Sequence, residues 1–149
     1  MKNNNHRIFF DTNVLVNYKT EQKDDIFCMD YLLKKKRKEF LFTSSFALGQ
    51  TISILQSKRK SRKAFSPEVI NEYIDFLTSK ITVLECSEND IKTAFTFKDL
   101  NDIEDNVQYV ISQKMKCRYI ITSDVSGYSQ HSKIGAINPN NVRLIKKII

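Results

Sequence analysis

Glycine and proline are scarce in this chain of 149 residues, which has three of the first and two of the second. So little of either argues against long linkers and low-complexity tracts, and leaves regular elements as the bulk of the chain. No internal repeat is visible. Cysteine is scarce too: Cys28, Cys86 and Cys117 are odd in number and far apart, in none of the paired spacings that hold zinc. They read as reduced thiols, buried or half-buried, in a reducing compartment. Long hydrophobic runs are missing as well. Residues 1–6 are polar, and no apolar stretch reaches the length of a signal-peptide core or a membrane span. The expectation is a soluble cytoplasmic protein with no membrane partner.

Hydrophobic residues make up 41% of the chain, enough for one domain over residues 1–149 that buries roughly two thirds of its unfolded surface. Lys and Arg number 24 against 17 Asp and Glu, a net charge of +7 that favours an anionic partner. Nucleic acid, an acidic protein and a membrane surface all satisfy that charge.

The stretch Ile8-Phe9-Phe10-Asp11-Thr12-Asn13-Val14-Leu15 organises the rest. Its apolar run fits a strand buried on both sides, Asp11 stands at the strand's exit, and Thr12 and Asn13 are turn and cap types ahead of a helix. That helical segment, broken near Gln22 and Lys23, reaches the run Lys34-Lys35-Lys36-Arg37-Lys38. A second strand over residues 40–42 leads into a helix to Gln56, with Leu48, Ile52 and Leu55 facing the core and Gln50 turned inward near its start. Ser66-Pro67-Glu68 opens a helix to about residue 79, and residues 81–84 form a third strand. Ser87 and Asp90 make a capping box for a helix to about residue 98. A helix over residues 103–116 feeds a fourth strand at 118–122. Ala136-Ile137 makes a short fifth strand, and Asn140 or Asn141 caps a last helix with Val142, Ile145 and Ile149 inward. Strand and helix alternate, which specifies an α/β fold with a parallel sheet covered on both faces.

In a parallel sheet the strands all end at one edge, where ligands bind. Asp11, Gln50, Asp102, Glu104, Asp105 and Asp124 all reach it. Asp102 and Asp105, three apart, project from one side of a first helical turn. Several carboxylates together repel unless a cation neutralises them. With no His or Cys in these motifs, a hard ion such as Mg²⁺ or Mn²⁺ suits them, and such an ion polarises a phosphodiester and activates water. Each acid also has a simple structural use, Asp11 as a cap and the later group as first-turn acids complementing the helix dipole.

In this order and spacing the residues resemble the PIN-domain family of nucleases, and most of all its bacterial VapC-like toxins. The resemblance spans nearly the whole chain, from Asp11-Thr12-Asn13 through Asp102-Ile103-Glu104-Asp105-Asn106 to Thr122-Ser123-Asp124. It implies a three-layer α/β/α fold with strand order 3-2-1-4-5 and metal-dependent cleavage of RNA. Asp11, Asp105 and Asp124 match the metal ligands, and Asp102 joins them in the catalytic group. Thr12, Asn13, Gln50, Thr122 and Ser123 border that group as candidate substrate contacts; Thr12 and Asn13 also shape the turn, and Thr122 and Ser123 can donate to a ligand or to Asp11. An antitoxin protein and a homodimer are the protein partners implied. Two positions depart from the family. Gln50 stands at a usual Glu, where its oxygen can ligate an ion or hold its water but brings no charge. Gly127 stands at a usual Asp, with Asp124 upstream as the carboxylate that replaces it.

These departures keep a second reading open, a catalytically degenerate PIN domain that binds nucleic acid or protein. An aspartyl-nucleophile phosphatase needs a second Asp where Asn13 stands, and a phospho-receiver needs paired acids near the first strand. Glu104 points about 100° away from Asp105 and reads as solvated. His6 and His131 read as exposed. The basic run at residues 34–38 reads as a solvated helix end opposite the acids. The run Lys58, Arg59, Lys60, Arg62 and Lys63 lies on a turn able to meet RNA phosphates, an acidic antitoxin segment or a second protomer.

Overall fold

A computed structural model describes residues 5–148. The elements run β1 (Ile8–Phe10), α1 (Thr12–Lys19), α2 (Lys23–Lys35), β2 (Leu41–Ser44), α3 (Ser45–Gln56), α4 (Pro67–Lys80), β3 (Thr82–Leu84), α5 (Glu88–Ala94), α6 (Ile103–Lys114), β4 (Tyr119–Ile121), β5 (Gly135–Ile137) and α7 (Val142–Lys147). All strand pairings are parallel and the order is β3-β2-β1-β4-β5, as the family resemblance implies. β1 sits at the centre, with Phe9 opposite Phe42 on one side and Ile120 on the other.

Alternation along β1 sends Ile8 and Phe10 to one face of the sheet and Phe9 to the other. The first face meets Leu15, Met29, Leu32, Leu55 and Leu77 from α1 to α4. The second meets Ala94, Val107 and Ile111 from α5 and α6. Both faces are therefore covered, and all three residues of β1 are buried.

Local signals set most of the boundaries. The break between α1 and α2 falls at Glu21, whose φ of 63° ends the first helix in the left-handed region. Ser66 caps α4 with Pro67 behind it, and Ser87 and Asp90 complete a reciprocal capping box on α5. α5 stops at Ala94, short of residue 98, because the chain beyond it is held by Asn106: Nδ2 donates to Ala94 O at 3.2 Å and to Asp99 O at 3.0 Å.

Several expectations are corrected. Ile52 is exposed, because α3 buries the face of Ala47, Thr51 and Leu55 and turns Ile52 about 100° away from Thr51. Val142 is exposed at the start of α7, which buries Ile145, and Ile148 just past its end is buried too; Ile149 lies outside the described residues. The basic run at 34–38 is not uniformly solvated. Lys36 is buried, its Nζ donating to His6 O at 3.0 Å and lying 5.8 Å from the Phe40 ring centre. Arg62 turns back onto its own hairpin, donating to Ile54 O at 3.0 Å and stacking over Phe65, so it satisfies the open end of α3. His6 is half-buried edge-on against Tyr119, and His131 is buried.

Candidate active site

Asp11 leaves β1 still paired to the sheet, its N–H donating to Ile121 O at 3.0 Å. Its carboxylate then gathers donors from three segments. Oδ1 accepts the Thr12 N–H at 2.8 Å, and Oδ2 accepts Thr122 Oγ1 at 2.8 Å, Tyr128 OH at 3.0 Å and Asn13 Nδ2 at 3.4 Å. Burial pushes the Asp11 carboxyl up, while the bonds from Thr122, the Thr12 backbone and Tyr128 pull it back down. Thr122 is the junction: Oγ1 also accepts from Asn13 Nδ2 at 3.2 Å and from the Asp124 N–H at 3.0 Å. Asn13 Oδ1 in turn accepts the backbone N–H of Ser123 at 3.0 Å, so Ser123 enters this network through its main chain.

The later acids arrive as caps. Asp102 is the N-cap of α6, its Oδ1 accepting the Asp105 N–H at 3.2 Å. Asp124 caps the 3₁₀ turn Val125–Tyr128, its Oδ1 accepting the Gly127 N–H and Ser126 Oγ, each at 3.2 Å. One oxygen from each of Asp102, Asp105 and Asp124 lies within 4.8 Å of the others. Asp105 is buried and its Oδ2 has no hydrogen-bond partner among the described residues. Burial, followed by the charges of Asp11 and Asp102, pushes its carboxyl up to about 9. Ionised carboxylates only accept, so a proton or a cation must bridge them. The all-oxygen donor set and the orphaned buried acceptor fit a hard divalent cation.

A cavity of about 240 Å³ holds the group together. Asp11, Asp102, Asp105 and Asp124 line it with Thr12, Asn13, Gln50, Ile54, Glu104 and Gln108. Asp11 belongs to this wall but stands outside the three-acid group, its oxygens already engaged. Thr122 is buried behind it, and Ser123 is exposed at the surface. Glu104 is exposed at the rim. A larger hollow of about 500 Å³, over Lys98, Asp99, Leu100, Asn101 and Gln130, lies beside the acids without assembling a comparable group.

Gly127 explains the departure after β4. A Cβ built there would stand 1.9 Å from Asp105 Oδ2 and 2.7 Å from Asp124 Oδ2. The volume a side chain would occupy is already filled by two carboxylates, and Asp124 supplies the acid from upstream.

Two features go beyond the sequence expectations. Tyr128, four residues beyond Asp124, sends its hydroxyl to Asp11. His131 stacks on Tyr109 with ring centres 4.0 Å apart, meets Phe97 edge-on at 4.7 Å, and places Nε2 2.8 Å from Asn106 Oδ1. Burial lowers its pKa. Its partner Asn106 follows Asp105 directly and pins the loop that delivers Asp102. Nothing in the local polarity around residue 131 announces this, since the stacking partners come from α6 and from the loop before it.

A parallel α/β/α sheet of order 3-2-1-4-5, with carboxylates from β1, from the start of α6 and from the end of β4 meeting at one edge, defines a PIN-domain protein. No family model matches the chain. Ribonuclease VapC1 of Aquifex aeolicus (strain VF5) is 32% identical over 135 residues, covering 85% of this chain and 87% of the relative. The chain belongs to the VapC family of PIN-domain ribonucleases. Among solved structures, DNA-bound VapBC from Salmonella typhimurium superposes with a TM-score of 0.63 at 12% identity, covering 90% of this chain and 98% of that one. VapC20 of Mycobacterium tuberculosis, a toxin that cleaves the sarcin-ricin loop, superposes with a TM-score of 0.62 at 14% identity, covering 83% and 95%.

Proposed function

We propose that this chain is a metal-dependent endoribonuclease, the toxin of a toxin-antitoxin pair, working in the cytoplasm as one domain. The observation that carries the reading is the buried Oδ2 of Asp105, unpartnered among the described residues, on a carboxyl grouped with those of Asp102 and Asp124. Asp102, Asp105 and Asp124 would hold Mg²⁺ or Mn²⁺, with Asp11 on the adjoining wall. When bound, the ion supplies charge neutralisation for a phosphodiester and Lewis acidity towards water. Asp11, fixed by four donors, is held in one orientation, so it orients whatever hydrogen-bonds to it. Thr12 and Asn13 fix the turn that presents it. The net charge of +7, to which the 58–63 hairpin contributes, favours RNA as the substrate. An antitoxin partner and a homodimer are supported by the VapBC complexes among its structural relatives.

The test is cleavage of structured and single-stranded RNA with Mn²⁺, Mg²⁺ or EDTA, for the native chain and for Asp11→Asn and Asp105→Asn. Cutting that requires metal and disappears in both variants is the expected result. Equal background from all three proteins, with RNA still bound, would instead make the chain a binding module.

A further inference from the structure

Four polar side chains form one hydrogen-bonded row from the end of β2 to the cavity. Ser44 Oγ accepts the Ala47 N–H at 2.9 Å and donates to Gln108 Oε1 at 2.6 Å. Gln108 Nε2 donates to Thr12 Oγ1 at 3.2 Å, and Thr12 Oγ1 donates to Gln50 Oε1 at 2.6 Å. The lengths set the direction of the row. A separation of 2.6 Å belongs to O–H···O bonds and is shorter than N–H···O bonds run, whereas 3.2 Å suits N–H···O. Turning both amides over would place nitrogens in the two short contacts. It would also deprive the hydroxyl hydrogen of Ser44, which is fully buried, of the acceptor that Gln108 provides. The row therefore runs outward and ends with the Gln50 oxygen turned towards Thr12.

Gln50 Nε2 is left with two N–H donors and no protein acceptor among the described residues. An amide nitrogen donates hydrogen bonds and does not ligate cations. Much of the surrounding wall is carboxylate, which repels a phosphodiester, and the nitrogens of the other two lining amides are already engaged, Asn13 Nδ2 by Asp11 and Thr122 and Gln108 Nε2 by Thr12. Resting on the reading of this cavity as a ribonuclease site, we infer that Gln50 is a substrate-binding residue: its Nε2 donates to a non-bridging oxygen of the phosphodiester, and it takes no part in holding the cation. A Glu here would still accept from Thr12 but would face the cavity with a charged acceptor, which draws in a cation and repels the phosphate. The neutral side chain thus exchanges cation affinity for an anion contact.

The experiment uses the full chain with Gln50→Met, which keeps the length and loses the donor, and Gln50→Glu, which keeps the bond from Thr12. Mn²⁺ affinity is read by electron paramagnetic resonance without RNA. KM and kcat are read on a fluorescein-labelled single-stranded RNA at saturating Mn²⁺, with thermal melts confirming that both variants fold. Gln50→Met is expected to leave the Mn²⁺ Kd within about twofold and to raise KM about tenfold, the loss of one hydrogen bond to a charged group. Gln50→Glu should tighten Mn²⁺ and also raise KM. Mn²⁺ binding weakened tenfold by Gln50→Met would make the amide oxygen a ligand and overturn the inference; an unchanged KM would overturn it too. A wild type that cuts no RNA with Mn²⁺ or Mg²⁺ overturns the nuclease reading and this inference together. A wild type that cuts while the Met variant keeps its KM overturns the inference alone.

Discussion

Replacing Thr122 by valine keeps the shape of a fully buried side chain and removes one hydroxyl. That hydroxyl donates to Asp11 Oδ2 and accepts from Asn13 Nδ2 and the Asp124 N–H. A hydrogen bond to a buried carboxylate carries about 1.5–3 kcal/mol, and the two accepted bonds, from half-buried residues that water can reach, about 0.5 kcal/mol each. The expected loss is therefore about 2.5–4 kcal/mol. Thr43 supplies the control: it is equally buried but makes a single neutral bond, to Phe10 O at 2.9 Å, so Thr43→Val should lose only about 1 kcal/mol. Urea denaturation in EDTA reads both, and at an ordinary slope for a chain this size the Thr122→Val midpoint falls by about 1–2 M. Thr122→Ser should recover most of the difference. Equal midpoints for Thr122→Val and Thr43→Val would refute the reasoning, because they would mean that the Asp11 carboxylate draws no stability from this hydroxyl.

Two further expectations concern the acids. Gly127→Ala puts a methyl group where Asp105 Oδ2 lies, and since that oxygen ends a flexible side chain, the carboxylate should move aside with the fold intact. Mn²⁺ affinity measured by calorimetry should drop by about tenfold or more while unfolding stays cooperative; unchanged affinity would show that the displaced oxygen is not needed. Asp105 also contributes to the pH response of the metal-free protein. Its folded pKa of about 9 lies above the unfolded value of 3.8, so between about pH 4 and 9 the folded state holds a proton that the unfolded state releases. Stability from this group is full below that window and is lost as pH rises through it. In EDTA, the native chain should lose more stability between pH 5 and pH 9 than Asp105→Asn; parallel pH curves would count against the raised pKa.

The catalytic edge follows from short-range signals. A buried apolar run ending in Asp11, a capping box at Ser87 and Asp90, and Asn141 ahead of α7 each state their element within a few residues, and alternation then dictates a parallel sheet. The misreadings are tertiary. His131 sits among polar neighbours in sequence but beneath Tyr109 and Phe97 in space. Lys36 belongs to a basic run yet folds its chain over the Phe40 ring, and Arg62 caps the helix that precedes its own hairpin. Ile52 shows how an apolar helix with two plausible stripes is decided by its neighbours. At the site, Asp11 and Asp105 were recognisable by position, but the direction of the Ser44, Gln108, Thr12 and Gln50 row depends on residues up to 96 positions apart. No local pattern encodes it.

Asp11, Asp102 and Asp124 each close the open end of an element as well as facing the cavity. At Asp102 and Asp124, asparagine keeps the cap and removes the charge, whereas alanine removes both; at Asp11 an amide nitrogen would face donors on whichever side it lay. The same double use means that these caps are made by the protein's own groups alone. An ion bound by the folded chain and not by the unfolded one would add its binding free energy to stability, so metal supply would shift how many molecules are folded as well as how many are competent.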